Sequence, residues 1–188
     1  MLGNDIIDIK LTAKTTNWQR TGWLDKVCTT EEQSTIHRSV HAFLTVWRIW
    51  TMKESAYKIS IQSGESHSLN PTRFHTIFLN ENVGEVLFGN QKIETFTTIS
   101  SAYIHTIAWD QSLEMPAIKT GIVSEQQQLK IELLRDIGKA YAYPIKDLKI
   151  ESAINRVPFI SHHNERLECP LSMSHHGKFS AYTYYKYQ

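Results

Sequence analysis

At 188 residues, with 41% apolar and 21% charged side chains, the chain can bury a real core as one domain or as two closely packed halves. A formal net charge of +1 argues against a broad basic field for nucleic acid, so any cationic site has to be local. Two cysteines with no CxxC pair speak against a disulfide scaffold or structural zinc, and no apolar run approaches the roughly 20 residues of a membrane span.

In chain order, residues 2–11 read as a Gly-Asn turn followed by the β-branched strand "IIDIKL". The same stretch lacks the basic-then-apolar pattern of a secretory signal, so the expected compartment is the cytoplasm. Thr29 followed three residues later by Glu32 is a capping-box pattern and predicts a helix from about Thr30. Residues 40–61 carry the strongest helical pattern, closed by "SGES". "RFHTIFL", "GEVLFG", "KIETFTTIS" and "AYIHTIAW" then predict a meander of short strands. "DQSLEMPAIKTG", with its proline and change of composition, is the best linker. "SEQQQLKIELLRDIGKAYAY" predicts an amphipathic helix with Leu129, Leu133 and Leu134 on one face. "LKIESAIN", "RVPFIS", "CPLSMS" and "FSAYTYY" return to strand character. Helix then strands, twice, predicts an α+β chain of two similar halves, residues 1–110 and 120–188.

The helix at 45–60, "TVWRIWTMKESAYKIS", is apolar nearly all round yet holds Lys53, Glu54 and Lys58. At about 100° per residue, Thr51, Glu54, Ser55 and Lys58 share one narrow stripe, with Lys53 nearly opposite. Helices of this kind are buried, and a buried carboxylate needs a cation or several hydrogen bonds. Glu54 and Lys58, spaced i and i+4, either pair with each other or face a metal ion and a phosphate. The N-terminus supplies a second carboxylate source, Asp5 with Asp8 three residues on, suited to a hard divalent cation. "SMSHHG" adds a glycine turn whose amides can approach a phosphate, with His175, His176 and Lys178 to add charge. For zinc binding by His162, His163, His175 and His176 the spacing gives little support.

Together, "GND" at 3–5, "WTMKESAYK" at 50–58 and "SMSHHG" at 172–177 resemble the signatures of the 4′-phosphopantetheinyl transferase superfamily: G-x-D, W-x-x-K-E-A/S-x-x-K and S-x-S-H. "KVCTTEEQ" is similar to the family's segment between the first two. The resemblance implies a fold of two similar α/β halves related by a pseudo-twofold axis. The S-x-S-H turn comes last here, whereas longer members carry it in their first half. Residues 120–188 resemble that first half, so the halves look swapped in order, and one chain could build the whole site without a partner subunit.

The resemblance further implies transfer of the phosphopantetheine arm of coenzyme A to a serine of an apo acyl or peptidyl carrier protein, with release of adenosine 3′,5′-bisphosphate. Asp5 and Glu54 match the Mg²⁺ carboxylates, with Asp8 a weaker candidate, and Lys58 matches the phosphate contact. Glu54, or a water it orients, is the base candidate. His175, or His176 in an alternative register, matches the histidine at the 3′-phosphate or adenine end of coenzyme A. The family's "GKP" lysine is replaced by Val157. Arg156 stands one position earlier, where strand alternation would turn it away, and Arg135 is another candidate phosphate contact. The altered "GKP" region and swapped order raise an alternative, a catalytically weak relative that binds coenzyme A or a carrier protein. A third reading is another Mg²⁺-dependent enzyme acting on a nucleotide-like phosphate ester.

Overall fold

The chain opens, in this computed structural model describing residues 1–187, with strand β1 (Leu2–Asp8), buried along almost its whole length. Gln188, the last residue of the second half as read from sequence, lies outside the described residues. Gly3 and Asn4 sit inside β1 rather than in a turn before it. The strand also ends sooner than "IIDIKL" predicts: the Asp8 carboxylate accepts from Leu11 N–H and starts helix α1 (Ile9–Thr15). Helix α2 (Trp23–Val27) follows. The expected capping box of Thr29 and Glu32 opens α3 (Thr30–Arg38), and the long apolar helix is α4 (Ala42–Gln62).

Four strands follow, β2 (His75–Phe78), β3 (Val83–Phe88), β4 (Gln91–Ile99) and β5 (Tyr103–Trp109). They form the predicted antiparallel meander. β5 then pairs with β1, Leu2 opposite Trp109 and Asp8 opposite Tyr103. The sheet order β1-β5-β4-β3-β2 leaves β1 at an edge, and α4 packs across one face through Met52, Ala56 and Ile59.

Residues 110–117 are irregular or a short 3₁₀ turn, but the second part of the expected linker is strand β6 (Ile118–Val123). The reason is pairing: β6 runs antiparallel to β11 (Phe179–Tyr185) from Ile118–Tyr185 to Val123–Ser180. Helix α5 (Gln126–Tyr141) buries Leu129, Leu133 and Ile137 against this second sheet, β10-β11-β6, in which β10 is Leu171–His176. A third, small sheet joins β7 (Leu148–Ser152), β8 (Pro158–His162) and β9 (Glu165–Arg166). The architecture is thus α+β with antiparallel sheets. Among the described residues no helix is long and apolar enough to cross a membrane.

The free edges of β1 and β10 lie against each other, and side chains take the place of a backbone ladder. Asn4 N–H donates to Ser172 Oγ at 3.0 Å, Ser172 Oγ donates to Asn4 Oδ1 at 3.1 Å, and Asp8 N–H donates to His176 Nδ1 at 3.0 Å. The two backbone contacts are each 168 residues apart in sequence, so the strands run in the same direction along this seam.

Candidate active site

Gly3 sets the geometry. A Cβ there would lie 2.0 Å from the Ser55 carbonyl oxygen, so only glycine lets β1 rest directly on α4. Two residues on, the same face of the strand carries Asp5. Lys58 Nζ lies 3.7 Å from Asp5 Oδ1 and donates to the carbonyls of Asn4 and, at 3.3 Å, Met173. Lys58 therefore ties α4, β1 and β10 together at one point.

Lys58 does not pair with Glu54, although the two are spaced i and i+4. Among the described residues the Glu54 carboxylate has no hydrogen-bond or ion-pair partner. Burial, then the charge of Asp5, pushes Glu54 up to about 7 despite Lys58. Burial likewise lifts Asp5 to about 6, against the pull of Lys58. Two half-buried acids with one cation between them leave a net negative charge without compensation. That is the donor set a hard dication satisfies, carboxylate oxygens with room for phosphate and water.

Asp8 is engaged at the neighbouring glycine turn. Three residues after Asp5, its carboxylate is already held by Leu11 N–H at 3.0 Å and Lys178 N–H at 3.4 Å. Burial pushes its acidity one way, but those N–H donors win and hold it below the usual carboxylate range. Its task is to seat the glycine turn: a Cβ on Gly177, at φ +60°, would meet Asp8 at 2.7 Å. His176 is engaged in the same joint through Nδ1, and its burial lowers its pKa. His175 stays exposed and lines a hollow of about 460 Å³ with Gln126, Lys130 and Met173. The Lys178 ammonium sits 5.0 Å over the Phe179 ring.

Arg156 departs from the expectation drawn from strand alternation. It belongs to no strand: at φ 60° it occupies a turn closed by Arg156 N–H to Ala153 O (2.8 Å) and Ala153 N–H to Val157 O (2.9 Å). That turn brings it to a 210 Å³ cavity also lined by Tyr57, Lys58, His67 and Met173. A cleft of about 890 Å³ adjoins this cavity, sharing Gln62, Asn155, Val157 and Pro158. Arg135 is not brought there; it pairs with Glu132 one turn back on α5.

The span 1–109, more than half of the chain, matches the family model of the 4′-phosphopantetheinyl transferase superfamily. The chain belongs to that superfamily. No curated protein matches the chain. The matched span ends with β5, so it contains Asp5, Glu54, Lys58 and the sheet that carries them, while the β10 turn lies outside it.

Two features around the candidate site had no legible role in sequence. Lys53 points away from the cavity, fully buried, with Nζ 2.6 Å from Glu32 Oε2 and donating to the carbonyls of Val27 (2.8 Å) and Pro71 (2.9 Å). Glu32 in turn accepts from Thr29 N–H, Thr76 N–H and Thr76 Oγ1, each at 2.8 Å. The capping-box glutamate and the motif lysine are thus one polar knot behind α4. Gln62 was missed altogether: it brackets Leu2, accepting from its N–H at 3.2 Å and donating to its carbonyl at 2.6 Å. No spacing signal marks it.

Proposed function

We propose that the chain transfers the 4′-phosphopantetheine arm of coenzyme A to a serine of an apo acyl or peptidyl carrier protein in the cytoplasm, with Mg²⁺ as cofactor. The observation that carries this reading is the Asp5–Glu54–Lys58 arrangement, two acids sharing one lysine beside a cavity. The carrier serine oxygen attacks the phosphorus attached to the pantetheine arm, the pyrophosphate bond breaks, and adenosine 3′,5′-bisphosphate leaves. Asp5 and Glu54 are the residues that would hold Mg²⁺, which supplies charge neutralisation at the pyrophosphate. Lys58 stabilises the negative charge on the leaving phosphate. Glu54, or a water it orients, accepts the serine proton.

Of the candidates for the nucleotide end of coenzyme A, Lys178 and Arg156 bring positive charge and His175 an exposed imidazole, while His176 and Arg135 are engaged elsewhere. Two halves, residues 1–110 and 120–188, each supply part of the site in swapped order, so a monomer suffices. Arg156 takes over from the absent "GKP" lysine. Arg156→Ala is accordingly expected to raise KM for coenzyme A about 10-fold, the size of one lost charge-assisted contact at a wet site, with kcat little changed. Steady-state kinetics with a fixed carrier checks this; an unchanged KM removes Arg156 from the nucleotide end.

The test of the function is direct. The protein is incubated with coenzyme A, Mg²⁺ and a panel of apo carriers, and each carrier is weighed by mass spectrometry. A phosphopantetheine-sized gain on at least one carrier is expected. Coenzyme A binding without any gain would instead establish a coenzyme A-binding module that has lost transfer activity, the reading the altered "GKP" region favours.

A further inference from the structure

Three metal-competent side chains converge at the end of the β7–β8 hairpin opposite the Arg156 turn. Asp147, His162 and His163 each offer one ligand atom, and these atoms lie within 4.8 Å of one another. The local backbone explains the grouping. Leu148 pairs with His162, which brings the preceding Asp147 level with the turn that leaves β8. His163 N–H also donates to the Asp147 carbonyl at 3.4 Å. Neighbouring residues of an extended strand point to opposite faces. Here His163 (φ 51°) and Asn164 (φ 68°) are left-handed, and the two imidazole centroids come to 4.2 Å. Tyr143 stacks on His162 at 3.9 Å and 7° from parallel, which fixes that ring's plane. Among the described residues, neither imidazole nor the Asp147 carboxylate is taken up by a side-chain hydrogen bond or an ion pair.

We propose that Asp147, His162 and His163 bind one divalent transition-metal ion, zinc or a near neighbour, as a clamp on the small third sheet. Two imidazoles and one carboxylate suit a borderline cation, whereas Mg²⁺ prefers oxygen ligands, so this set is chemically distinct from Asp5 and Glu54. Zinc bonds of about 2.0–2.1 Å place tetrahedral ligands roughly 3.4 Å apart. The three atoms need only contract modestly, and exposed His163 is free to make that movement. Water completes the shell. None of the cavities around Lys58 includes these residues, so the site binds metal without serving the transfer chemistry.

The mechanical sense lies in the sheet itself. Its strands span 5, 5 and 2 residues, and a sheet that small is marginal without support. A metal at Asp147–His163 ties the segment after α5 to the base of β8. The opposite end of the same hairpin presents Arg156 to the cavity.

The full chain, freed of metal by chelation and then held in millimolar Mg²⁺ to keep Asp5 and Glu54 occupied, is titrated with micromolar Co²⁺ as a visible probe and then with Zn²⁺. One equivalent of Co²⁺ with d–d absorption is expected, displaced by Zn²⁺, with a rise in Tm on zinc addition. His163→Ala, at an exposed position, and Asp147→Asn are expected to weaken uptake by at least ~100-fold, the upper end of what losing a mere supporting contact does. Glu54→Gln is expected to leave uptake unchanged. The proposal fails if the wild type takes up neither ion, if His163→Ala and Asp147→Asn bind as the wild type does, or if Glu54→Gln abolishes uptake.

Discussion

Glu54→Gln is expected to lower carrier modification by at least ~1000-fold, and at the same time to make the metal-free protein more stable at alkaline pH. The first effect follows from removing one of two acids that would hold the cation and the candidate base together. The second follows from the charge balance of the site. Glu54 has a folded-state pKa of about 7 against an ordinary value of 4.5, raised by burial and by Asp5. Between those two values the folded state holds more protons than the unfolded one, so stability falls as pH rises through this window and stays low above it. Glutamine is neutral throughout and escapes that loss. The shift sets an upper bound of roughly 3 kcal/mol; solvent at this half-buried group reduces it to about 1–2 kcal/mol, or ~2–8 °C in Tm. Thermal melts in EDTA at pH 5 and pH 8.5 should therefore show the variant close to wild type at the lower pH and above it at the higher. Adding Mg²⁺ should stabilise the wild type and leave the variant unmoved. A pH-independent difference, or a Glu54→Gln enzyme with wild-type transfer, would remove Glu54 from the metal site.

Why some of this was legible in sequence and some was not comes down to reach. Capping chemistry acts over three residues, so the α3 start at Thr29 and Glu32 was readable. Helical periodicity placed Glu54 and Lys58 on one stripe, and α4 and α5 formed where it said. The family signature gathered "GND", "WTMKESAYK" and "SMSHHG" before any fold was known. Contacts set by tertiary approach were not readable. Spacing offered Glu54 and Lys58 as a pair, yet Lys58 is drawn instead to Asp5 and two carbonyls from different strands. Asp8 read as a weaker metal candidate, and sequence could not show that Leu11 and Lys178 amides hold its carboxylate. Arg156 was turned the wrong way by a strand rule applied to a turn. The strand β6 was read as linker because its partner β11 lies some 60 residues ahead, Thr183 Oγ1 bonding Lys119 O across |i−j| = 64.

Lys53→Met is the variant expected to cost most stability, about 3–5 kcal/mol, because it strands a carboxylate instead of merely removing a contact. Methionine fills the same volume, so the loss cannot be assigned to a cavity. Without the ammonium, the Glu32 carboxylate at 2% exposure loses its counterion, and the Val27 and Pro71 carbonyls lose their donor. Removing the charge from the other side tests the same knot. Glu32→Gln leaves the lysine buried without its counterion, and the double variant Lys53→Met with Glu32→Gln should be more stable than the sum of the singles by about 1–3 kcal/mol. Urea denaturation of all four proteins closes the cycle. A Lys53→Met loss under ~1 kcal/mol, or strict additivity, would show that the pair is incidental. The expected coupling would give the motif lysine a physical role distinct from that of its neighbour. The knot spans α3, the end of α2, the segment at Pro71 and strand β2 through Thr76, all fastened to the back of α4. One residue later and about 100° round the same helix, Glu54 lies within reach of the charges of Asp5 and Lys58. A helix pinned this firmly on one side holds its other side at a fixed distance from β1, where Gly3 leaves no slack. The folded fraction of Lys53→Met should therefore keep coenzyme A binding while losing more in kcat than in KM, since a loosened α4 misplaces Glu54 relative to Asp5 before it disturbs the Arg156 turn.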